Sequence, residues 1–110
     1  MRVSNCIGFA YHELGITAEE HVCDCPTEEE LYEKFDPVDE NSPADAVAVI
    51  APLNGEMAVI HIALFNGSKD FIVHRRGGSE PISEPFTEGL ENYLRDYEPS
   101  RLVFLALKDK

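Results

Sequence analysis

Apolar residues near the start of the chain recur at the spacing of a helix that buries one face. The pattern is i, i+3, i+4, i+7, and its members are Ile7, Ala10, Tyr11 and Leu14. Ser4 or Asn5 can cap this helix, because a short polar side chain accepts from the unpaired N–H groups of the first turn. Gly15 supplies the left-handed residue that ends many helices. The pattern therefore predicts a helix whose first residue is Cys6.

A second, shorter helix is predicted to begin just after Thr27. Thr27 and Glu30 have the spacing of a capping box, and the acidic first turn suits the helix dipole. Leu31 and Phe35 are the predicted buried edge of this helix. The segments on either side of it are predicted to be irregular: 16–26 and 36–43.

From residue 46 onward the pattern is typical of strands. Three apolar segments follow one another: 46–51, 57–65 and 70–75. Asn54-Gly55 and Asn66-Gly67 separate them and are strong hairpin-turn signals. Simple alternation places one set of side chains on the same face of the middle strand: Met57, Val59, His61, Ala63 and Phe65. The region is predicted to be an antiparallel meander.

The last third of the chain is predicted to add one helix and one strand. Segments 76–81 and 83–85 have the composition of loops. Thr87 is the predicted cap of the helix, whose buried face comprises Leu90, Tyr93, Leu94 and Tyr97. The apolar segment 102–107 is predicted to be a strand of the same sheet. Helices, then a meander, then a helix and a strand indicate an α+β fold.

Composition and charge narrow the classes of partner. The 110 residues suit a single globular domain, 1–110, and no apolar run reaches the length of a membrane span. The net charge of −12 argues against nucleic acid and anionic membranes as partners. Residues 13–45 hold twelve of the 21 acidic side chains and one basic side chain. This acidic first third is a candidate surface for a protein partner.

The sequence gives two indications of compartment. No signal peptide is visible at the N-terminus. The cysteines number three, an odd count that favours a reducing environment. We therefore expect a cytoplasmic protein, and a leader trimmed from this sequence would change that expectation.

Three residues are candidates for nucleophilic catalysis. Cys6 begins a predicted helix, where unpaired N–H groups and the helix dipole stabilise a thiolate. His61 is the one histidine in an apolar strand, where it is either a hydrogen-bonded core residue or a general base. His74 ends the next strand, from which a polar group could orient His61.

Two further groups are candidates for binding. The segment His21-Val22-Cys23-Asp24-Cys25 carries soft metal ligands, but its Cys-x-Cys spacing is not the usual zinc spacing. We interpret it as a loop with incidental cysteines and expect neither a metal nor another cofactor. Arg75 and Arg76 could bind a substrate carboxylate through bidentate hydrogen bonds, or could simply be solvated.

The chain resembles the NlpC-type cell-wall peptidases, a compact branch of the papain-like fold. The resemblance rests on four stretches, in the family's order between residues 5 and 74: Asn5-Cys6-Ile7-Gly8-Phe9 with Leu14-Gly15-Ile16; Pro43-Ala44-Asp45; His61-Ile62-Ala63-Leu64-Phe65-Asn66-Gly67; and Ile72-Val73-His74. It implies a papain-like core in which the helix that carries Cys6 packs on an antiparallel sheet.

The resemblance also implies a reaction. Cys6 would attack a peptide, amide or related acyl carbonyl, His61 would transfer the proton, and His74 would orient His61. The backbone N–H of Cys6 would help to hold the oxyanion. Two alternatives stay open: an acyltransferase that uses the same triad, and a catalytically inactive α+β module that binds a protein partner through its acidic face.

Overall fold

One antiparallel sheet of six strands, with helices on both faces, organises the residues described by the computed structural model, which are 6–16, 26–66, 68–75, 80–97 and 99–108. The helices are α1 (Cys6–Glu13), α2 (Glu28–Lys34) and α3 (Phe86–Asp96). The strands are β1 (Phe35–Val38), β2 (Ala46–Leu53), β3 (Glu56–Asn66), β4 (Ser68–His74), β5 (Ile82–Pro85) and β6 (Arg101–Leu107). The α+β expectation is confirmed.

The strand order is β1-β6-β2-β3-β4-β5. Strands β2, β3 and β4 form the predicted antiparallel meander. The C-terminal strand β6 lies between β1 and β2, so it belongs to the same sheet, as predicted. The turn between β2 and β3 has positive φ at Asn54 and Gly55, 52° and 85°, which is the geometry that an Asn-Gly hairpin favours.

Helix α1 ends as the sequence predicts. Gly15 has a φ of 80° and leads the chain out of the helix. Its N–H donates to the carbonyl of His12 at 3.0 Å, and the N–H of Ile16 donates to the carbonyl of Tyr11 at 2.9 Å. These paired hydrogen bonds define a Schellman motif, which satisfies carbonyl groups at the end of the helix. The predicted caps Ser4 and Asn5 lie outside the described residues.

Helix α2 begins with the predicted capping box. The Thr27 side chain accepts from the N–H of Glu30 at 3.1 Å, and the Glu30 carboxylate accepts from the N–H of Thr27 at 2.9 Å. Leu31 and Phe35, the predicted buried edge, are both fully buried. The helix is therefore capped locally and held by a small apolar edge.

We expect Thr27→Ala to lower the free energy of unfolding by about 1 kcal/mol, because the first turn loses its side-chain acceptor. Urea unfolding followed by circular dichroism measures the change. Thr87→Ala is a matched control, since Thr87 lies in the first turn of α3 and that helix has no side-chain cap hydrogen bond. An equal loss in the two variants would contradict the assignment of the cap.

The acidic start of α2 also connects this helix to the sheet. The Glu28 carboxylate accepts from Arg101 of β6 and from the hydroxyl of Tyr32 at 2.7 Å. The hydrogen bond from Arg101, followed by that from Tyr32, lowers the pKa of Glu28. Burial and the Glu28 carboxylate raise the pKa of Tyr32. The Arg101 side chain is 50% exposed, so this ion pair fixes the orientation of α2 on the sheet more than it adds stability.

Two apolar clusters cover the opposite faces of the sheet. The α1-face cluster joins α1 and α2 to the sheet through Ile7, Ala10, Leu31, Ala46, Ala48, Ile50, Val59, Ile62 and Leu105. The α3-face cluster joins α3 to it through Val47, Val49, Ala63, Ile72 and Leu90, with Tyr93, Leu94 and Phe104 partly buried beside them. Consecutive residues of β2 alternate between the clusters, as the pleat requires.

A β-bulge in β3 overturns the simple alternation predicted for that strand. Val49 of β2 pairs with His61, but the next residue, Ile50, pairs with Val59. Ile60 is therefore the extra residue of the bulge. As a result, Val59 lies on the α1 face whereas His61 lies on the α3 face. The prediction that Val59 and His61 share a face is wrong, because a period of two holds only while the ladder is regular.

Two short strands were predicted to be loops. Strand β1 extends into 36–43 and includes Pro37, which pairs with Leu105. Because β1 is an edge strand, the missing N–H of proline is tolerated there. Strand β5 occupies the predicted loop at 83–85 and pairs with β4 at the other edge of the sheet. Strand β2 likewise continues through Pro52.

The start and the buried face of α3 differ in detail from the prediction. The residue at the N-cap position is Pro85, and Thr87 lies within the helix. Leu90 is buried and Tyr93 and Leu94 are half-buried, but Tyr97 is 46% exposed. The helix ends at Asp96, so Tyr97 no longer follows the helical path toward the sheet.

Within the described ranges, no helix combines the length and apolarity needed to cross a membrane.

Candidate functional site

The predicted neighbours His61 and His74 contact each other inside the protein. Nε2 of His61 lies 2.6 Å from Nδ1 of His74, and the rings meet edge to face with centroids 4.9 Å apart. Both side chains are 0% exposed. Strand pairing between β3 and β4 brings them together. Leu64 pairs with Val73, so in this antiparallel register His74 lies opposite Ala63, which is two residues along β3 from His61. A buried imidazole needs hydrogen-bond partners, and each ring supplies one to the other.

Glu84 of β5 extends this contact. Its Oε2 lies 2.5 Å from Nε2 of His74, and its side chain is 20% exposed. Strand pairing explains the approach: Glu84 is opposite Ile72 and Ile82 is opposite His74, so Glu84 and His74 share the α3 face. We call the three side chains Glu84, His74 and His61 the histidine relay. It connects a buried imidazole to a partly exposed carboxylate.

The hydrogen-bond network assigns the tautomers of the two histidines. A carboxylate can only accept, so Nε2 of His74 carries the proton that it donates to Glu84. Nδ1 of a neutral His74 is then an acceptor, so Nε2 of His61 must be the donor in the 2.6 Å contact. This leaves Nδ1 as the basic nitrogen of His61.

Helix α3 covers the histidine relay on the α3 face of the sheet. The ring of Tyr93 stacks on that of His61, with centroids 3.9 Å apart and an interplanar angle of 13°. Gly89 allows the helix backbone to lie close to β4 and β5, because a Cβ there would lie 2.6 Å from Cδ1 of Ile72 and 3.0 Å from Cγ of Glu84. The backbone of α3 therefore packs directly on the strands that carry His74 and Glu84.

Cys6 begins α1 and packs within the α1-face cluster, with 8% of its surface exposed. Its thiol donates to the carbonyl of Ile60 at 3.8 Å. Ile60 immediately precedes His61 and is the extra residue of the bulge. Along β3, this carbonyl lies between Ala58, which forms a bridge with Thr27, and Leu64, which pairs with β4. The thiol therefore contacts the backbone next to His61 from the α1 face of the sheet, whereas the imidazole of His61 lies on the α3 face.

The other predicted binding residues are placed only in part. Arg75 follows β4 and is half-buried, with its guanidinium 5.8 Å from the centroid of the Phe9 ring of α1. Arg76 lies outside the described residues, as does the whole segment 21–25 that contains Cys23 and Cys25. Among the residues that are described, no group of three or more His, Cys, Asp or Glu side chains is arranged to hold a metal ion.

Sequence reasoning missed Glu84, and the local signal for it is weak. The four residues Ile82 to Pro85 show no alternation of polarity, and prolines flank the first three, a composition typical of a loop. Only pairing with β4 identifies this segment as a strand and gives the carboxylate its direction. Tyr93 was predicted correctly to face the core, but its partner there is a histidine.

Comparison of the chain with protein-family models, with curated proteins and with solved structures returns no match.

Proposed function

We propose that the protein is a thiol hydrolase that cleaves a peptide, amide or related acyl bond. Cys6 is the nucleophile, His61 the general base and acid, and His74 the residue that orients His61. The observation that carries this proposal is the buried 2.6 Å contact between His61 and His74, which leaves Nδ1 of His61 as the basic nitrogen. The thiol on the neighbouring Ile60 carbonyl adds support.

The first half-reaction forms a thioester. Cys6 and the His61 imidazole start on opposite faces of the sheet, so the reaction requires the bulge at Ile60 to let the thiol reach Nδ1 of His61. The Cys6 proton then moves to Nδ1 of His61, and the thiolate attacks the carbonyl carbon of the substrate. The N–H of Cys6, at the start of α1, donates to the oxyanion. The tetrahedral intermediate then collapses, and the imidazolium returns its proton to the leaving amine or alcohol. The acyl group remains on the sulfur of Cys6.

The second half-reaction restores the enzyme. Water loses a proton to Nδ1 of His61 and adds to the thioester carbonyl. The carbon–sulfur bond breaks, the carboxylic acid leaves, and the thiolate and imidazolium remain. Throughout the cycle the charge on His61 is stabilised through its Nε2–H, which donates to His74. The likeness to NlpC-type peptidases in four ordered stretches favours the same papain-like arrangement and the same class of bond.

Selective alkylation tests the proposal. An ordinary thiol is ionised to only about 0.3% near pH 6. A thiolate paired with an imidazolium is largely ionised there, and after allowance for its lower intrinsic nucleophilicity the net advantage is about tenfold. We therefore expect iodoacetamide to label Cys6 about ten times faster than Cys23 and Cys25 near pH 6. Peptide mapping by mass spectrometry gives the three rates within one sample.

Two controls make the result interpretable. The same labelling in urea should equalise the three rates, because unfolding separates Cys6 from His61. The rate for Cys6 should also form a plateau below the pH at which Cys23 and Cys25 begin to react. Equal, slow labelling of all three cysteines in the folded protein, with no plateau, would overturn the assignment of Cys6 as the nucleophile.

A further inference from the structure

We propose that Glu84 is a positioning residue that fixes which nitrogen of His61 acts as the base. This inference rests on the proposed function and deepens it, because it assigns a role to a carboxylate beyond the Cys6, His61 and His74 set. Glu84 has no contact with the reacting atoms in this scheme. It acts through His74, by setting the direction of both hydrogen bonds in the histidine relay.

A hydrogen bond between two neutral histidines has no preferred direction of its own. Two neutral imidazoles in contact can share one proton in either direction. His61 can donate to His74, or His74 can donate to His61, with nothing in the pair itself to choose between them. The two arrangements differ in chemistry. In the first, Nδ1 of His61 is a base; in the second, Nδ1 carries a proton and cannot accept one from the thiol.

Glu84 removes this ambiguity. Its carboxylate, 2.5 Å from Nε2 of His74, can only accept. His74 must therefore carry its proton on Nε2, which turns its Nδ1 toward His61 as an acceptor. The second arrangement would place a bare Nε2 against a carboxylate, two acceptors within hydrogen-bond distance inside a largely buried site. That repulsion excludes it.

The surroundings of Glu84 fit a fixed role. Its strand β5 pairs with β4 at four positions, including Ile82 with His74, which sets the register of the carboxylate. The backbone of α3 packs on its side chain at Gly89. The carboxylate keeps 20% of its surface exposed, so the negative charge retains some hydration while its inner oxygen faces the imidazole.

A spectroscopic experiment tests this role without any substrate. Long-range ¹H–¹⁵N spectra of the histidine-labelled full chain distinguish the two neutral tautomers, and single histidine substitutions assign the signals. We expect His61 and His74 both to be Nε2–H tautomers in Cys6→Ser, the parent chain for these spectra, because without the thiol no proton is transferred to Nδ1 of His61. Glu84→Gln should shift His61 toward the Nδ1–H form, because an amide can donate to His74 as well as accept. Glu84→Asp, which keeps an acceptor-only group, should restore the original tautomers.

The rate of Cys6 alkylation supplies a second readout. We expect Glu84→Gln to slow alkylation about tenfold, which is the size of effect seen at metal sites when a group that orients a histidine is removed. Glu88→Gln is the matched control, since it makes the same charge change at an exposed site on α3 and should alter neither readout. A neutral His61 Nδ1–H tautomer in the Cys6→Ser parent, or spectra unchanged when Glu84→Gln is added to it, would overturn the role of Glu84.

The two proposals fail separately. If Cys6 shows no selective alkylation but Glu84→Gln shifts the tautomers, the thiol hydrolase is wrong and the role of Glu84 in orienting the histidines holds. If alkylation of Cys6 is selective but Glu84→Gln leaves the tautomers unchanged, the thiol hydrolase stands and the role of Glu84 is wrong. Should Glu84→Gln fail to fold, the tautomers of the Cys6→Ser parent decide the question alone.

Discussion

Replacing His61 with alanine is expected to lower the rate at which Cys6 is acylated by p-nitrophenyl acetate by about a hundredfold or more, the usual contribution of a general base. The selective labelling of Cys6 by iodoacetamide should be lost with it. In the proposed mechanism the physical reason is the same in both assays, because without Nδ1 of His61 no base accepts the thiol proton. Release of nitrophenolate measures the rate, and mass spectrometry locates the acyl group on Cys6.

Three comparisons separate this effect from damage to the fold. His12→Ala removes a histidine from α1 outside the relay and should leave the acylation rate unchanged. His74→Ala should give an intermediate loss, because His61 keeps its base but loses the partner that orients it. His61→Gln fills more of the site than alanine and should be as inactive. Acylation of Cys6 at an unchanged rate in His61→Gln would count against His61 as the base.

Replacing Phe35 with alanine is expected to have the largest effect on stability. Phe35 is fully buried where α2 meets β1, and its ring lies 6.3 Å from that of Tyr11. Loss of such a side chain costs about 3–5 kcal/mol in transfer free energy and cavity formation. The whole domain is stable by only about 5–15 kcal/mol, so a large fraction of the stability is removed. Urea unfolding at constant temperature measures the change.

Phe71 provides a matched control for Phe35. It lies on β4 and is 48% exposed, so its truncation should cost about 1 kcal/mol or less. If Phe35→Ala does not fold at all, Phe35→Leu keeps most of the volume and should cost less than about 1.5 kcal/mol. Similar losses for Phe35→Ala and Phe71→Ala would contradict the placement of Phe35 in the core.

Much of the local structure could be predicted because it depends on neighbours in sequence. The Schellman end at Gly15, the capping box of Thr27 and Glu30, and the Asn54-Gly55 turn each satisfy backbone groups within a few residues. The apolar strands of the meander likewise follow from composition. The candidate residues His61 and His74 could be chosen for the same kind of reason, since a histidine within an apolar strand needs a partner wherever the strand lies.

The edges of the sheet could not be predicted in this way. Strands β1 and β5 are short, contain proline and lack a clear apolar period, so their own residues do not favour a strand. Each forms because a long neighbour, β6 or β4, offers unpaired backbone groups at the right register. The bulge at Ile60 is similar, because it arises from the pairing of β2 with β3 rather than from the β3 sequence.

The histidine relay combines features that the sequence predicts with features that depend on tertiary structure. The amino-acid sequence by itself determined which groups could do chemistry: a thiol at the start of α1 and two histidines on neighbouring strands. The tertiary structure decided how the histidines are oriented, because the bulge turned His61 to the α3 face and an edge strand brought Glu84 to His74. The hydrogen bonds of the relay have a fixed direction only when an acceptor-only group stands at its end. That group is Glu84, which the pairing of β5 with β4 places beside His74.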